Sequence, residues 1–372
     1  MLKVAKSCIG FFKRETVLCI AIVLALVSAI FVPPSPAYAS YIDWDTLALL
    51  FSLMAVMKGF QKVGVFLFLG NQLLKRTVTT RRMLFVLVFL PFVFSMVITN
   101  DVSLITFVPF GLIVLRMAKQ ERLLVPLVVM QTAAANLGSM LLPMGNPQNL
   151  YLYAKSGIGF GEFVWLMLPY VLLSGACLAL MILFQRPAPI SAVSVAAEMG
   201  SRRRLLCCIL GFAVCLLGIF KTIPPAAIAA AVAVFLLIAD RELLAEIDYS
   251  LLGTFLAFFV FVGNIGCIEG FRNLLSALLT NHVELVSVLA SQVISNVPAA
   301  LLLSGFTTQW RALIVGCNLG GLGTLIASMA SLISYKLLAR EYPGQRKRYL
   351  LWFTLCNLCL LGVLLAANML LA

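Results

Sequence analysis

Two short polar runs interrupt strongly apolar sequence, and their side chains could hold an ion or a small solute. Thr99, Asn100 and Asp101 lie between the apolar arms 83–98 and 102–115. An acid at membrane depth costs roughly 2.5–3.5 kcal/mol on insertion scales, so such a residue usually faces a pathway or a cavity. Asp101 is therefore a candidate cation ligand or proton carrier. A cap for the following helix is the structural alternative, since carboxylates accept from free helix amides.

The second polar run repeats the first. Aligned at Ser95 and Ser291, the residues Val-Ile-Thr-Asn at 97–100 fall on Val-Ile-Ser-Asn at 293–296. The chain therefore carries two equivalent apolar hairpins, each with a polar tip. Flanking charge does not distinguish a re-entrant hairpin from two full crossings. The polar tips favour the re-entrant form, because non-helical backbone at membrane depth must be shielded by protein or water.

Each hairpin is followed by a long apolar stretch with a break. Residues 143–149, Pro-Met-Gly-Asn-Pro-Gln-Asn, interrupt the first stretch. Proline and glycine there remove helix hydrogen bonds and leave backbone groups free. Aligned from Asn136 and Asn318, residues 145–150 fall on 327–332 without gaps. Helices broken in mid-membrane are frequent substrate or ion sites in transporters. The two asparagines are themselves expected to bond between helices rather than to bind substrate.

The composition requires a polytopic membrane protein. Hydrophobic residues make up 62% of the chain, charged residues 11%, and the mean hydropathy is +1.07. The 372 residues allow about ten spans with short loops. The formal net charge of +13 is concentrated in those loops, as the positive-inside bias requires. No basic domain with interleaved aromatic residues is found, so nucleic acid is excluded as a partner.

The residue inventory argues against an enzyme. Most of the ten cysteines lie in apolar runs, where free cysteine behaves as a small hydrophobe, and one histidine makes a zinc site improbable. Aspartyl chemistry needs two facing acids, whereas Asp101 alone lies deep in a span. Gly-x-Ser-x-Gly and His-Glu-x-x-His do not occur. We expect no enzymatic activity and no cofactor.

Charge bias predicts the topology. Residues 17–32 follow a basic segment and form a first span with a cytoplasmic amino terminus. The same pattern fits a signal peptide cleaved after Ala37-Tyr38-Ala39, but a retained span is favoured. The short apolar segments 63–74 and 271–279 are predicted to be interfacial. The basic residues of the first segment are Lys3, Lys6, Lys13 and Arg14.

Five segments follow from this pattern. Residues 1–40 are the first span and outer loop, 41–184 a first repeat half, 185–204 a cytoplasmic linker, 205–338 a second repeat half, and 339–372 a C-terminal span. Matched elements have opposite orientation by charge bias, which is a transporter signature. The predicted fold is an all-α inverted repeat with two re-entrant hairpins, two discontinuous helices and about 9–11 spans.

The tips, the Asn-Leu-Gly before each break, and Gly145-Asn146-Pro147-Gln148-Asn149 resemble the ion transporter superfamily. That group contains citrate transporter-like carriers, arsenical pump membrane proteins and sodium/proton antiporters. The resemblance covers nearly the whole chain from about residue 41 and is closest to the YbiR-type inner-membrane proteins. It implies a multi-pass protein of the cell inner membrane, often a homodimer.

The resemblance also implies two cation sites, each formed by a tip and the break that follows it. Dicarboxylate carriers read Ser-Asn-Thr at both tips, and the departures here weaken a dicarboxylate assignment. For Na⁺ the implied ligands are Asn100, Asp101 and Asn146. The first site would use Thr99, Asn100, Asp101, Gly145, Asn146 and Asn149, and the second Ser295, Asn296, Ser328 and Ser331.

The expected function is secondary active transport of a small anion or oxyanion, carboxylate-like or arsenite-like, coupled to Na⁺ or H⁺ by alternating access. One alternative is Na⁺/H⁺ antiport that uses Asp101. A more remote alternative is a membrane scaffold that transports nothing. The expected partners are the lipid bilayer and a small molecule or ion.

Overall fold

The chain folds into α-helices joined by short loops. A computed structural model describes residues 15–75, 77–190, 195 and 199–371, and within these ranges there is no strand, only one isolated bridge between Thr79 and Pro189. The basic residues at positions 3, 6, 13 and 14, on which the predicted orientation of the amino terminus depends, lie outside the described residues.

Within the described residues, nine helices precede the linker. They are α1 (Thr16–Phe31), α2 (Tyr38–Tyr41), α3 (Trp44–Val63), α4 (Val65–Leu74), α5 (Thr80–Phe94), α6 (Asn100–Met117), α7 (Leu124–Gly138), α8 (Pro147–Ser156) and α9 (Phe160–Leu183). The break between α7 and α8 contains the predicted Pro and Gly residues, with a 3-10 turn at Pro143–Gly145.

Ten helices follow. They are α10 (Arg202–Ile219), α11 (Pro225–Ala239), α12 (Arg241–Glu246), α13 (Tyr249–Cys267), α14 (Glu269–Leu279), α15 (Val283–Ile294), α16 (Asn296–Leu303), α17 (Trp310–Leu319), α18 (Met329–Glu341) and α19 (Arg346–Leu371). The second predicted break separates α17 from α18.

The predicted repeat is visible in the order of the helices. Helices α3 to α9 correspond one by one to α13 to α19. Both series begin with an aspartate cap: Asp43 accepts from the Thr46 amide and Asp248 from the Leu251 amide, each at 3.0 Å. The all-α repeat with two hairpins and two discontinuous helices is thus confirmed. The opposite orientation of the halves and the re-entrant path of the hairpins stay predictions.

One glycine contact recurs in both halves. A Cβ atom on Gly138 would lie 1.9 Å from the Phe92 carbonyl oxygen, and one on Gly320 would lie 2.5 Å from Ser291 Oγ. Both distances are far below van der Waals contact, so a larger residue at either position would force its neighbour to move. In each half, the glycine of the Asn-Leu-Gly motif therefore allows its helix, α7 or α17, to pack closely against the end of the first hairpin helix, α5 or α15.

Among the residues that the structure describes, five helices are long and apolar enough to cross a membrane, or six if the pair α14 and α15, bent by 116°, counts as one span. Shorter apolar helices at α1, α4 and α11 accompany them. The chain is a polytopic membrane protein, and the count of 9–11 spans stays a prediction. So do the proposed limits of the five segments.

The helices form two bundles. Helices α1, α3, α10, α11 and α13 pack together in one, while the hairpins, the broken helices, α9 and α19 form the other; α4 and α14 connect them. Within the first bundle the halves are interchanged, because α1 packs along α13 and α11 along α3. Each half therefore completes the core of the other.

Candidate functional site

Four helices begin close together in the interior. Helices α6, α8, α16 and α18 have the N-cap residues Thr99, Asn146, Ser295 and Ser328, and none of these side chains accepts a hydrogen bond from its own helix. Helix α6 packs on α18, and α16 on α8. Helix N-termini carry partial positive charge and outward-facing amides, which attract oxygen atoms and anions.

A buried hydrogen-bond network around Asn136 links the first tip to the second break. Asn100 donates from Nδ2 to Asn136 Oδ1 at 2.9 Å, and Ser328 Oγ donates to the same oxygen at 3.1 Å. Asn136 Nδ2 in turn donates to Ser331 Oγ at 3.2 Å. Three predicted site residues thus converge on one side chain, and they come from both halves.

The repeat produces a matching contact around Asn318. Its Nδ2 atom donates to Asn149 Oδ1 at 2.7 Å. In the repeat, Asn318 corresponds to Asn136, and Asn149 corresponds to Ser331. The Asn-Leu-Gly asparagine of each half therefore bonds to the break of the other half. Nearby, Asn146 Nδ2 donates to Ser139 Oγ at 2.7 Å. The first break is thereby fixed to the end of α7.

Two amide oxygens at this junction have no partner among the described residues. Asn146 is 3% exposed and Asn318 1% exposed, yet the Oδ1 atom of each accepts no hydrogen bond. A buried acceptor left unpaired costs about 1–3 kcal/mol and calls for an explanation. Amide oxygens are hard ligands suited to an alkali cation or to a hydroxyl donor. Asn146 therefore fits the predicted Na⁺ set, whereas Asn100 Oδ1 already accepts from the Asp101 amide at 2.9 Å.

A cavity of about 610 Å³ opens beside the first tip; we call it the Asp101 cavity. The carboxylate of Asp101 has no hydrogen bond or ion pair among the described residues, so the capping alternative is not observed. Glu246, Asp248 and Tyr249 are exposed at the cavity rim. Its lining includes Met54, Lys58, Thr99, Asp101, Val102, Ile105, Pro147, Glu246, Asp248, Tyr249 and Met329.

This cavity brings the first tip together with both breaks. Thr99 and Asp101 share it with Pro147 of the first break and Met329 of the second. Gly145, also expected at this site, lies where a Cβ would be 2.3 Å from the Ser139 carbonyl oxygen. Its role in the structure is to let the chain turn tightly at the break.

The second tip is closed. Asn296 donates its backbone amide to the Ala327 carbonyl at 3.0 Å, so this tip contacts the break that follows it, as expected. Ser295 has φ of 74°, a conformation that a residue with a side chain rarely adopts. Such strain persists only where the surrounding structure enforces it, and it concentrates at functional sites. Ser295 and Asn296 are 2% and 5% exposed.

Sequence reasoning set aside two residues that prove central. Asn136 and Asn318 do bond between helices, as expected, but their partners are the predicted site residues of the opposite half. The Asn-Leu-Gly echo was the signal that could have identified them. A gap-free alignment that pairs Asn149 with Ser331 implies equivalent partners for the two asparagines.

The comparisons with known proteins agree with this architecture. The family model described as Citrate transporter matches residues 7–309. An uncharacterised transporter of Methanocaldococcus jannaschii is 31% identical over 298 residues, covering 80% of this chain and 81% of the relative. The inner membrane protein YbiR of Escherichia coli is 31% identical over 319 residues, covering 82% and 83%. The silicon efflux transporter LSI3 of Oryza sativa is 34% identical over 137 residues, covering 37% and 27%. The chain belongs to the citrate transporter family of membrane transporters.

Proposed function

We propose that the protein carries a small anion or oxyanion across the inner membrane by alternating access, coupled to Na⁺ or H⁺. The observation that carries this proposal is the junction of four helix N-termini without side-chain caps, at Thr99, Asn146, Ser295 and Ser328. These termini present amide donors and partial positive charge to a shared interior site. An oxygen-rich solute supplies the matching acceptors.

The composition of the junction supports a small solute of low charge. Its contacts come from amide and hydroxyl groups of Asn100, Asn136, Asn149, Ser328 and Ser331. Among the described residues that make these contacts there is no lysine or arginine to neutralise a multiply charged anion. Names of relatives point the same way, since one is a silicon efflux transporter and another a putative transporter arsB of Dictyostelium discoideum. Both match over about a third of this chain.

Coupling is assigned to Asp101. Its carboxylate lies in the cavity next to the tip, so a bound Na⁺ or proton would neutralise the charge before a solute oxygen approaches. Because Lys58 lines this cavity and Arg241 precedes its rim at residues 246–249, we assign the cavity to the cytoplasmic side, together with the amino terminus. The homodimer implied by the resemblance is part of the same proposal.

The test uses the purified full chain in lipid vesicles with imposed Na⁺ or proton gradients. Radiolabelled or mass-detected citrate, malonate, silicic acid and arsenite are offered as solutes. We expect at least one solute to accumulate about tenfold or more with one gradient and to stop when an ionophore dissipates it. If no solute in the panel responds to either gradient, the proposal is wrong.

Na⁺/H⁺ antiport is the second candidate, and the unpaired Asp101 carboxylate with the unpaired Asn146 oxygen favours it. It predicts Na⁺-dependent dissipation of a pH gradient without any added solute. Asp101→Asn should abolish this exchange, whereas Glu121→Gln, an exposed acid between α6 and α7, should not change it. Unchanged exchange in Asp101→Asn would exclude this role.

A further inference from the structure

A second cavity, of about 520 Å³, lies at the start of α3; we call it the Asp43 cavity. One wall is the first turns of α3, a second is α8, and a third is the loop between α10 and α11. Its lining includes Asp43, Asp45, Leu49, Leu150, Tyr153, Ala154, Lys221, Thr222, Ile223, Pro224 and Pro225.

The two cavities lie at opposite ends of the same helices. The Asp101 cavity touches α3 at Met54 and Lys58, whereas the Asp43 cavity touches its first turn and Leu49. From Asp43 to Lys58 the helix rises by about 22 Å, most of a hydrocarbon core. Helix α8 is shared as well, with Pro147 in one cavity and Leu150 in the other. One turn of α8, about 5 Å, separates these two residues.

The repeat makes these cavities equivalent. Asp43 and Asp248 are matching N-caps, and each lines one cavity. The Asp43 cavity joins the start of α3 to α8, and the Asp101 cavity joins the start of α13 to α18 at Met329 and Ile333. Because α13 corresponds to α3 and α18 to α8, the same pair of elements builds both.

The tips differ between the two cavities. Val102 and Ile105 line the Asp101 cavity, and Ile105 is 41% exposed. Their counterparts, Pro298 and Leu301, are buried, with Leu301 1% exposed. Val297, the counterpart of Asp101, is 6% exposed. The path is therefore open at the first tip and closed at the second.

A hydrogen bond between the halves holds the second tip's helix closed. Tyr151 OH on α8 and Ser304 Oγ at the end of α16 are 2.8 Å apart, and both side chains are buried. Lys155 donates to the Tyr151 hydroxyl at 2.9 Å and to Ser304 Oγ at 3.3 Å. The Tyr151 ring packs against Phe255 and Phe259 of α13.

We propose that the Asp43 cavity is the second mouth of the transport path. It admits the same oxygen-rich solute and coupling cation from the opposite side of the bilayer, and Val297 and Leu301 line the path when this mouth is open. The proposal rests on the proposed transport function and identifies where the solute enters or leaves on the side away from Asp101.

Sided thiol labelling tests it. Ile105→Cys, Ala154→Cys and Val297→Cys are each introduced into the full chain, and a membrane-impermeant methanethiosulfonate is applied to right-side-out and inside-out vesicles. Adducts are counted by mass against the parent, which keeps its native cysteines. We expect Ile105→Cys to be labelled from one side, and Ala154→Cys and Val297→Cys from the other. The fully buried Ala134→Cys on α7 is the unlabelled control.

Tyr151→Phe tests this contact, because it keeps the ring and removes the shorter bond to Ser304, leaving only the longer bond from Lys155. It should raise the labelling rate of Val297→Cys about threefold or more and lower that of Ile105→Cys. Tyr335→Phe on α18 is the matched control and should change neither rate. Should Val297→Cys not fold, Leu301→Cys takes its place.

Two outcomes overturn the inference: labelling of Val297→Cys from the Ile105 side, or no labelling of it in Tyr151→Phe while Ala154→Cys reacts. If the gradient screen shows solute flux but Val297→Cys is labelled from neither side, this inference is wrong and the proposed function stands. Reciprocal labelling without flux of any solute would instead overturn the proposed function.

Discussion

Asn136 illustrates how much of the site depends on single amides. Its oxygen receives two hydrogen bonds and its nitrogen donates a third, so it joins Asn100, Ser328 and Ser331 across the two halves. A neutral amide that serves as donor and acceptor at once allows the first tip and the second break to meet without burying a charge. Burying an ion pair there would cost several kcal/mol in desolvation.

Asn136→Ala should therefore destabilise the protein by about 2–3 kcal/mol, because buried polar groups lose their partners. The measurement is the thermal transition of the purified protein in detergent, followed by tryptophan fluorescence. Ser334→Ala on α18 is the control: that serine is equally buried but bonds only to Ala330 of its own helix. Equal shifts for both variants would contradict the assigned role of Asn136.

The tips and breaks could be predicted from the sequence, whereas their partners could not. Polar residues, proline and glycine inside an apolar run have local causes that a sequence reveals. The bond between Asn136 and Ser331 joins residues 195 positions apart and depends on how two bundles pack. Nor could the sequence show that α1 packs on α13, since apolar helices fit lipid as well as they fit each other.

At the scale of elements, two glycines set how closely each Asn-Leu-Gly helix approaches its hairpin. A Cβ atom on Gly138 would lie 1.9 Å from a neighbouring oxygen, and one on Gly320 would lie 2.5 Å from another. In membranes, such close approach replaces the hydrophobic effect as the source of helix association. Both glycines lie within one turn of Asn136 or Asn318, so these contacts fix the level along the helix axes at which the breaks meet.

Gly138→Ala should abolish the folded state or lower its thermal transition by ten degrees or more, on the order of 3 kcal/mol for overpacking against backbone. Gly320→Ala should be milder, because a serine side chain can shift more readily than a carbonyl. Gly175→Ala on α9 meets Phe92 at an ordinary 3.4 Å and serves as the control. Size-exclusion profiles and melting curves of the three variants would settle the order.

Helix α8 carries a second prediction at this scale. Leu150 is 1% exposed and lies between the Asp43 cavity and the break at Pro147. Leu150→Ala removes three side-chain carbons from this partition, so we expect protons to leak through vesicles at a rate several times that of the parent. A pH-sensitive dye measures the leak, with Leu152→Ala, buried on the same helix, as control. Equal proton leak rates in Leu150→Ala and Leu152→Ala would show that Leu150 does not separate the Asp43 cavity from the break.

At the scale of the molecule, the halves are interdependent. Helix α1 is packed along α13, and α11 along α3, so each half contributes the outer helix that the other requires. An ion pair between Lys62 at the end of α3 and Asp240 after α11, at 3.0 Å, adds a contact at the rim. Each half alone would leave the faces of these helices without their partners.

We therefore expect residues 1–192 and 193–372, expressed separately, to be degraded, and to accumulate as a complex when expressed together. Affinity capture through a tag on one fragment, followed by immunoblotting for the other, measures assembly. A cut after position 120, within the first half between α6 and α7, is the control and should reduce recovery further, because it divides one bundle. Accumulation of either long fragment alone would contradict the interchange of helices.

The interchange of α1 and α13 also imposes a delay during synthesis. The ribosome finishes α1, which ends at Phe31, about 220 residues before it begins α13 at Tyr249. At translation rates of roughly 5–20 residues per second, the first helix waits on the order of ten seconds or more for its neighbour. During that interval lipid or an insertion chaperone must cover the face of α1 that α13 later occupies. This face includes Ser28, whose hydroxyl accepts a hydrogen bond from Asn264 Nδ2 in the folded protein.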